Sequence, residues 1–308
     1  MRWGLGRMSN SIAPGLYAIG EPTADSPVLV SANYKMTFDF LRRDLRGHNV
    51  WVLALDTKGV NVWCAAGKGT FGTEELVKRI EATKLGQVVS HRKLILPQLG
   101  APGIAAHQVK KSCGFSVSYG PVRSSDLPAF LGNDNHATEE MRQVTFNMLE
   151  RLVLTPVELV SMWRQILWSI LILFVLAGFG PGFFSLSALW SRGVAAVASG
   201  LTGVFVGAVL MPLLLPWLPG RSFALKGAIL GALVALIGAM GFSEPLSWLN
   251  SIALMSGLPA IASWCAMNFT GSATFTSPSG VEKEMRQAIP GQAAALLVAG
   301  VCWFWAAF

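Results

Sequence analysis

Apolar residues follow two different patterns along the chain. Over residues 1–164 short apolar runs alternate with charged segments, whereas long uncharged stretches fill most of residues 165–308. A helix needs about 20 apolar residues to cross the hydrocarbon core of a bilayer. The second half therefore predicts an all-α transmembrane domain of five helices. We place them at Gln165–Phe184, Val194–Leu215, Ala224–Phe242, Leu246–Asn268 and Gly291–Phe308.

The first half alternates strand and helix patterns. Strand-like runs lie at Ser26–Tyr34, Asn49–Asp56, Leu94–Leu96 and Phe115–Tyr119. Helical patterns lie at Lys35–Leu45, Thr73–Lys84, Ala105–Ser112 and Thr138–Leu152. This alternation predicts a Rossmann-like α/β domain, with a parallel sheet between helices and a ligand crevice at the carboxyl ends of its strands. The segments at those ends are Ser31–Tyr34, Thr57–Thr70, Pro97–Gly103 and Tyr119–Ser125.

Composition and charge support this division into two domains, residues 1–164 and 165–308. The chain is 52% apolar and only 13% charged, which excludes an ordinary soluble protein. The first half holds 19 of the 24 Lys and Arg residues and 14 of the 17 Asp and Glu residues. Although the net charge is +7, no Lys- or Arg-rich run stands out, so we expect no nucleic-acid partner. A basic face beside anionic membrane lipid explains the charge more simply.

The predicted membrane helices carry few functional groups. Gly203–Gly207 and Gly227–Gly231 are GxxxG spacings, which favour close helix packing within the bundle, with a separate dimer contact as the alternative. Because no charged side chain lies deep in any predicted span, the pattern counts against an ion-driven carrier. The soft sulfur atoms of Cys265, Cys302, Met255 and Met267 serve either in packing or as ligands for a softly bound passenger.

Cys64 is the most unusual candidate in the first half. The chain has four cysteines and no CxxC pair, so we expect neither a disulfide framework nor a metal cluster of its own. Thr57–Thr70 reads TKGVNVWCAAGKGT, which lacks the first glycine and the final Ser or Thr of a phosphate-binding Walker A loop. No histidine lies near Cys64 in sequence to activate it as a nucleophile. From the residues alone, Cys64 is either a functional thiol or an inert, buried cysteine of the core.

The eight residues Asn61–Lys68, NVWCAAGK, resemble the signature of the HgcA family, the membrane-anchored corrinoid proteins of microbial mercury methylation. That family is related to the corrinoid iron–sulfur protein of the acetyl-CoA pathway. The resemblance extends to VLVSANYKMTFDFLRRDL, LPQLGAPG, SYGPVRSSDLPAFL, NFTGSATFTSPSGVEKEMR and the five-span tail. It implies a cobalamin or related corrinoid, with the motif as a cap helix beneath the ring and Cys64 as the lower axial ligand of cobalt.

The residue chemistry fits this implication. A thiolate is a soft, strong donor that can push electron density toward a methyl group on the opposite side of cobalt. Small residues after Cys64 let the backbone lie close beneath a flat ring, Trp63 can pack against its edge, and Lys68 either pairs with ring amides or faces water. The candidate cofactor-binding residues are Asn61, Val62, Trp63, Cys64, Ala65, Ala66, Gly67, Lys68, Ser31, Asn33, Thr37, Gly100, Tyr119 and Gly120.

Two other candidates are weighed against Cys64. Asp134-Asn135-His136 begins the DxHxxG pattern of histidine-ligated cobalamin proteins, but Glu139 stands where glycine is required, so this alternative is rejected. Cys113, in KKSCGF, is either a structural thiol or a receiver of Hg(II).

By resemblance, the function is methyl transfer from methyl-Co(III) corrinoid to Hg(II), giving methylmercury. Hg(II) must receive the methyl group as a carbanion or a radical. The implied partners are a ferredoxin-like 4Fe–4S protein of the HgcB type, which returns electrons to cobalt, and a methyltetrahydrofolate-linked methyl donor system. The alternatives are a membrane-anchored corrinoid methyl carrier of one-carbon metabolism and a transporter with a cytoplasmic regulatory domain.

The distribution of Lys and Arg predicts the topology. The N-terminus lacks the apolar run of a secretory signal, so the first domain is expected in the cytoplasm and the helices in the inner membrane. The loops Arg221–Lys226 and Gly271–Pro290 then face inside, while Arg192, Glu244 and the C-terminus face outside.

A reporter fused at Phe308 tests this topology. Because five spans place the two ends of the chain on opposite sides, we expect a periplasmically active reporter to work there and a cytoplasmic one to fail. The reverse pattern would contradict the odd number of spans.

Overall fold

The structure is a computed structural model that describes residues 11–241, 246–272 and 278–308. The described chain divides into two compact units between Thr145 and Phe146, the first α/β and the second helical. This division lies earlier in the chain than the predicted domain boundary at residues 164 and 165. Each unit is described by itself.

The first unit is built on a five-stranded sheet. Its strands are β1 (Gly15–Ile19), β2 (Val28–Ala32), β3 (Val50–Leu55), β4 (Lys93–Leu96) and β5 (Ser116–Tyr119), in the order β1-β3-β2-β4-β5. The last four are parallel, as predicted, but β1 runs antiparallel to β3. The prediction of an all-parallel sheet was therefore wrong at this edge. An edge strand has one neighbour, so its five residues can pair antiparallel without a crossover helix.

The helices of the first unit cover both faces of the sheet. They are α1 (Lys35–Asp44), α2 (Val62–Gly67), α3 (Thr73–Ala82), α4 (Leu85–Val88), α5 (Ala106–Cys113) and α6 (Leu127–Gly132). Short 3₁₀ turns lie at Gln98–Gly103, Ser124–Asp126 and Glu140–Arg142. One apolar core contains Leu76 and Ile80 of α3, and a second contains Phe38 and Leu41 of α1. Helix patterns predicted for α1, α3 and α5 are confirmed to within two residues.

The predicted amphipathic helix at Thr138–Leu152 was wrong over its first part. Helix α7 (Met148–Ser161) begins only after Asn147, whose side chain accepts from the Glu150 N–H at 3.0 Å. The Glu150 carboxylate in turn accepts from the Asn147 N–H at 2.7 Å. Phe146, with a φ of 47°, interrupts the helical backbone just before this capping box. The local capping interaction therefore sets the helix start.

The second unit consists of helices and one short hairpin. After α7 come α8 (Trp163–Ala177), β6 (Phe179–Gly180), β7 (Phe183–Phe184), α9 (Leu186–Phe205), a π-helical turn (Val206–Leu210), α10 (Met211–Leu214), α11 (Phe223–Met240), α12 (Trp248–Asn268), a 3₁₀ turn (Phe269–Ser272) and α13 (Pro278–Trp305). Four described segments are long and apolar enough to cross a membrane: 186–214, 223–240, 248–268 and 280–305. Helices α7 and α8, bent by 57°, add a fifth if the pair is one span.

Three predicted span boundaries were wrong. The second span was predicted to begin at Val194, whereas α9 begins at Leu186 and contains Arg192. The first predicted span, Gln165–Phe184, stops being helical at Ala177, where the β6–β7 hairpin begins. The predicted loop Gly271–Pro290 is helical from Pro278 onward, and its charged residues include an i, i+4 pair on the helix surface. In that pair Arg286 donates to Glu282 at 2.9 Å. Residues 273–277 of this loop, and Glu244, lie outside the described residues.

Both GxxxG spacings pack against α12. A Cβ on Gly227 would lie 2.5 Å from the Ala266 Cβ, and one on Gly231 would lie 2.7 Å from the Pro259 Cα. A Cβ on Gly203 would lie 2.9 Å from the Ile261 side chain. The glycines therefore serve close packing inside the bundle, as the first of the two predicted alternatives states.

Replacing Gly227 tests this packing against a matched glycine on the same helix. We expect Gly227→Leu to destabilise the protein by about 1–3 kcal/mol, because the side chain forces α11 and α12 apart. Gly238→Leu is the control, since a Cβ there meets nothing within 4 Å. Thermal unfolding in detergent measures both, and equal stability of the two variants would contradict the packing.

Candidate functional site

The first unit contains a cleft at the carboxyl ends of β2 and β4. From β2 the chain passes to β3 on one side of the sheet, and it later returns to form β4 on the other side. Such a reversal of direction leaves a crevice between the two strands, which is where open α/β sheets bind ligands. The cleft has a volume of about 280 Å³ and is open to solvent. It is bordered by β2, α1, α2, β4 and the segment that follows β5.

Six of the candidate residues line this cleft. They are Ser31, Thr37, Asn61, Val62, Trp63 and Gly120. The other eight lie outside its lining: Cys64, Ala65, Ala66 and Gly67 are on α2, and the rest are on neighbouring segments. These eight are Asn33, Cys64, Ala65, Ala66, Gly67, Lys68, Gly100 and Tyr119. The predicted motif Asn61–Lys68 therefore lies at one edge of the sheet, but only its first three residues line the cleft.

Helix α2 presents Cys64 at its first turn. Asn61 caps the helix, and its side-chain oxygen accepts from the Cys64 N–H at 2.9 Å. Val62 and Ala65 are buried in the core and fix one face of the helix, while Trp63 and Cys64 are only half-buried. Gly67 and Lys68 are exposed at the far end. A thiol on an anchored but accessible helix face can bind a ligand without rearrangement of the backbone.

Asn33 holds the loop that leads into α2. Its side chain is buried, and the Oδ1 atom accepts from the Thr57 N–H at 3.1 Å and from the Gly59 N–H at 3.0 Å. The Thr57 hydroxyl also donates to it, at 2.9 Å. These bonds stabilise a turn in which Lys58 and Gly59 have φ values of 55° and 71°. Asn33 therefore positions the backbone that carries Asn61 and Cys64.

Gly100 and the residues near it serve close packing beside α2. A Cβ on Gly100 would lie 2.6 Å from the Phe71 ring, so only glycine fits there.

Tyr119 and Gly120 lie at the end of β5. Tyr119 donates to the Ile104 carbonyl at 3.2 Å, and burial raises the pKa of its phenol. A Cβ on Gly120 would lie 3.1 Å from Ile95, which keeps this part of the cleft wall close to β4.

The cleft also includes residues that the sequence did not single out. Ser124 lines it and donates to Asp44 at 2.6 Å, while Arg43 donates to the same carboxylate at 2.7 Å. The Arg43 hydrogen bond, assisted by that of Ser124, lowers the pKa of Asp44. Because Asp44 ends α1, this cluster ties α1 to the segment after β5. Its only sequence signal is the position of Ser124 after a strand.

The residues of the two alternative sites, Cys113 and His136, lie on other segments of the first unit. Within residues 11–241, 246–272 and 278–308, no three His, Cys, Asp or Glu side chains are grouped to hold a metal ion. Cys113 donates to the Val109 carbonyl at 3.2 Å, as a helix-bound thiol does. His136 is exposed in a turn after α6, in which Asp134 and Asn135 have positive φ angles.

Comparison with known proteins matches the α/β part of the chain. Residues 7–131 match the family model described as "CdhD: CO dehydrogenase/acetyl-CoA synthase delta subunit". Similar curated proteins are gamma subunits of the acetyl-CoA decarbonylase/synthase complex. The Methanopyrus kandleri protein is 35% identical over 127 residues, which are 41% of this chain and 27% of that protein. The Methanocaldococcus jannaschii protein is 35% identical over 130 residues, which are 42% of this chain and 26% of that protein.

A third relative gives the same picture. The gamma subunit of Archaeoglobus fulgidus is 32% identical over 122 residues, or 39% of this chain and 26% of that protein. The chain thus spans about a quarter of the length of the curated relatives it matches. The matched part contains the cleft and α2, and the helices of the second unit lie beyond it.

Removing the Asn33 carboxamide tests its hold on the loop. We expect Asn33→Ala to destabilise the first unit by about 1–3 kcal/mol, because buried N–H groups lose their acceptor. Denaturant unfolding and limited proteolysis of the 57–70 segment measure the change. Asn133→Ala, at an exposed position, is the control. A loss no larger than that of the control would contradict the positioning role.

Proposed function

We propose that the protein is a membrane-anchored corrinoid protein that acts in cobalamin-dependent methyl transfer. The observation that carries this proposal is the half-buried Cys64 thiol on α2, the short helix that borders an open cleft at the sheet edge. Cys64 is the proposed lower axial ligand of cobalt. The match of residues 7–131 to subunits of acetyl-CoA decarbonylase/synthase supports a role in one-carbon chemistry.

Open space at the end of α2 supports the proposal of a flat macrocycle beside Cys64, which itself lies outside the lining of the cleft. A Cβ on Gly67 would meet nothing within 4 Å, so the end of α2 borders open space. Ala65 and Ala66 are buried and keep the helix against the core, which leaves its other face accessible. In this assignment Trp63 contacts the ring edge, and Ser31, Thr37 and Gly120 border the same cleft. Lys68, exposed at the end of the helix, is free to reach peripheral amides.

A bound corrinoid supplies a cobalt-carried methyl group that can be given up as a carbanion or a radical. The role of the protein is to supply the donor atom, the sulfur of Cys64, and to hold it in place. Cys64 would hold the metal through its sulfur as a soft thiolate, which requires loss of the thiol proton. Asn61 fixes the Cys64 backbone, and Asn33 fixes the loop before it. Because both contacts exist in the folded chain, the thiol needs little reorganisation to bind.

The proposed methyl acceptor is Hg(II), on the resemblance of Asn61–Lys68 to the mercury-methylating corrinoid proteins. The second candidate is a methyl carrier of one-carbon metabolism, and the names of the matched relatives favour it more directly. In both cases the proposed domain of residues 1–164 lies in the cytoplasm, and the long apolar helices cross the inner membrane. The names of the matched relatives do not support the alternative of a transporter with a cytoplasmic regulatory domain.

Both functions require partners. Regeneration of a reduced cobalt centre needs electrons, and the four cysteines with no CxxC pair hold no cluster to supply them. We therefore propose a ferredoxin-like 4Fe–4S protein as the electron donor. A methyltetrahydrofolate-linked system is the proposed source of methyl groups.

Replacing Cys64 tests the proposed ligand. We expect Cys64→Ala to abolish methyl transfer and to change the visible spectrum of bound corrinoid, while the protein stays folded. Loss of a half-buried thiol costs only about 1–2 kcal/mol in packing. Each 1.36 kcal/mol lost from the transition state slows a reaction about tenfold. Cys113→Ala is the matched control, because Cys113 is also half-buried in the first unit.

Acceptor assays on the purified full chain separate the two functions. Methylmercury formed from Hg(II) supports the first, whereas methyl transfer only to a thiol or carbonyl acceptor supports the second. Normal transfer by a folded Cys64→Ala protein would refute the ligand assignment, and absence of corrinoid binding would refute both functions.

A further inference from the structure

Helix α7, at the start of the second unit, has an inverted distribution of polar and apolar residues. Arg151, Thr155 and Glu158 are spaced by four and three residues, which places them on one face of the helix. All three are buried, with exposed fractions between 4% and 7%. Leu149 and Leu152, by contrast, are 71% and 42% exposed. A helix that packs on a protein in water has the opposite arrangement, with its polar face outward.

A hydrogen bond to a neighbouring segment turns the polar face of α7 inward. Arg151 donates to the Leu213 carbonyl at 3.3 Å, near the end of the long apolar segment 186–214. Arg151 also donates to the Phe146 carbonyl, at 2.9 Å. The bond to Leu213 fixes the rotation of α7 about its own axis, so the fold itself exposes the apolar side.

The outer side of α7 carries no charged residue. The helix contains three charged residues, of which Arg151 and Glu158 are buried, while Glu150 closes the capping box with Asn147 at the helix start. With about 3.6 residues per turn, four residues lie opposite the buried polar face. These are Leu149, Val153, Pro156 and Val160, and none of them is buried. This side of α7 therefore suits apolar surroundings.

The bend between α7 and α8 carries residues typical of a membrane boundary. The two helices differ in direction by 57°. Trp163 and Arg164, directly after the bend, are exposed, and the Arg164 guanidinium lies 5.4 Å from the centre of the Trp163 ring. Trp collects where lipid meets water, and an exposed cation is costly in the hydrocarbon core. The bend therefore fits the boundary between lipid and water.

Beyond the bend, α8 has the surface of a helix surrounded by lipid. Its side chains Leu171, Ile172 and Val175 are between 46% and 55% exposed. Large exposed apolar surfaces mark contact with a membrane or a partner. Only Met162 separates α7 from α8, so the apolar side of α7 begins next to a surface that faces lipid. This proximity favours lipid over a protein partner as the cover of α7.

We propose that α7 lies along the cytoplasmic surface of the membrane, with its apolar side in contact with lipid acyl chains. Amphipathic helices of this kind insert their apolar face about 5–10 Å into the boundary between headgroups and acyl chains. The inference rests on the proposed membrane location of the long apolar helices. It adds to them an in-plane contact, made by a helix that does not cross the bilayer.

A fluorescent amino acid at position 149 tests this contact in the full-length protein. The protein is reconstituted into vesicles of phosphatidylethanolamine and phosphatidylglycerol. A nitroxide is attached to the acyl chain of a trace lipid, either near the headgroup end or near the methyl end. We expect the loss of fluorescence to be larger with the headgroup-end nitroxide than with the methyl-end nitroxide, and to be small with iodide in the water. A probe at Leu152 repeats the measurement on the same side of α7.

Two matched probe positions calibrate the depth. A probe at Leu171, on the exposed side of α8, should lose more fluorescence with the methyl-end nitroxide. A probe at Lys110, exposed on α5 of the first unit, should respond to iodide. These two positions separate a failure of the inference from a failure of the proposed membrane location. If neither nitroxide quenches the Leu171 probe, the membrane location itself is refuted, and the inference falls with it.

With the Leu171 probe quenched as expected, three results at α7 would overturn the proposal. Iodide quenching as strong as at Lys110 would place the apolar side of α7 in water. Stronger quenching by the methyl-end nitroxide would make α7 part of a membrane-spanning segment. Protection from all three quenchers would mean that protein covers this side of the helix.

Discussion

The candidate site depends on the hydrogen bonds that one buried carboxamide accepts. Asn33 directly follows the central strand β2, and its Oδ1 atom accepts from backbone N–H groups of the turn at residues 57–59. That turn joins the neighbouring strand β3 to α2, so a side chain on one strand determines where the next loop runs. Because burial strengthens these bonds and makes their loss costly, the position of Cys64 is coupled to the core of the sheet.

The second unit meets a different constraint, since polar groups within apolar helices must find partners in the protein. Buried Lys226 donates to the Leu215 carbonyl at 2.9 Å instead of reaching outward from its helix. Arg151, also buried, donates to the carbonyls of Phe146 and Leu213. In both cases backbone carbonyl oxygens accept hydrogen bonds from a buried cation. Arg151 Nε and Gln292 Oε1 are buried atoms without a hydrogen-bond partner among the described residues.

The two units carry different parts of the proposed function. The α/β unit contains the motif, the cleft and the part of the chain that resembles known subunits. The helical unit contributes the long apolar segments, which lie beyond the matched region. The proposed ligand Cys64 and the hydrogen bonds that position its backbone all belong to the first unit. The helices would then determine where in the cell the reaction takes place.

The sequence by itself determined the strands and helices that have strong periodicity. The apolar runs of β2 and β3, the amphipathic patterns of α1 and α3, and the long apolar helices all follow from local spacing of residues. The motif at Asn61–Lys68 also stands out without a structure, because its residue types are unusual directly after a strand. These features depend on neighbours in sequence, which is why they are readable from it.

Only the tertiary structure decided features that depend on distant residues. The antiparallel edge strand β1 is defined by its pairing with β3, and its own five residues carry no distinctive pattern. Charge density made residues 278–290 look like a loop, but in the structure they form the first part of α13. The engagement of Asn33 with a turn about 24 residues away, and the hydrogen bond from Gln292 to Ser263, arise only when those segments meet. Hydrogen-bond partners of this kind are a property of the folded arrangement, because sequence patterns record what is buried but not what it contacts.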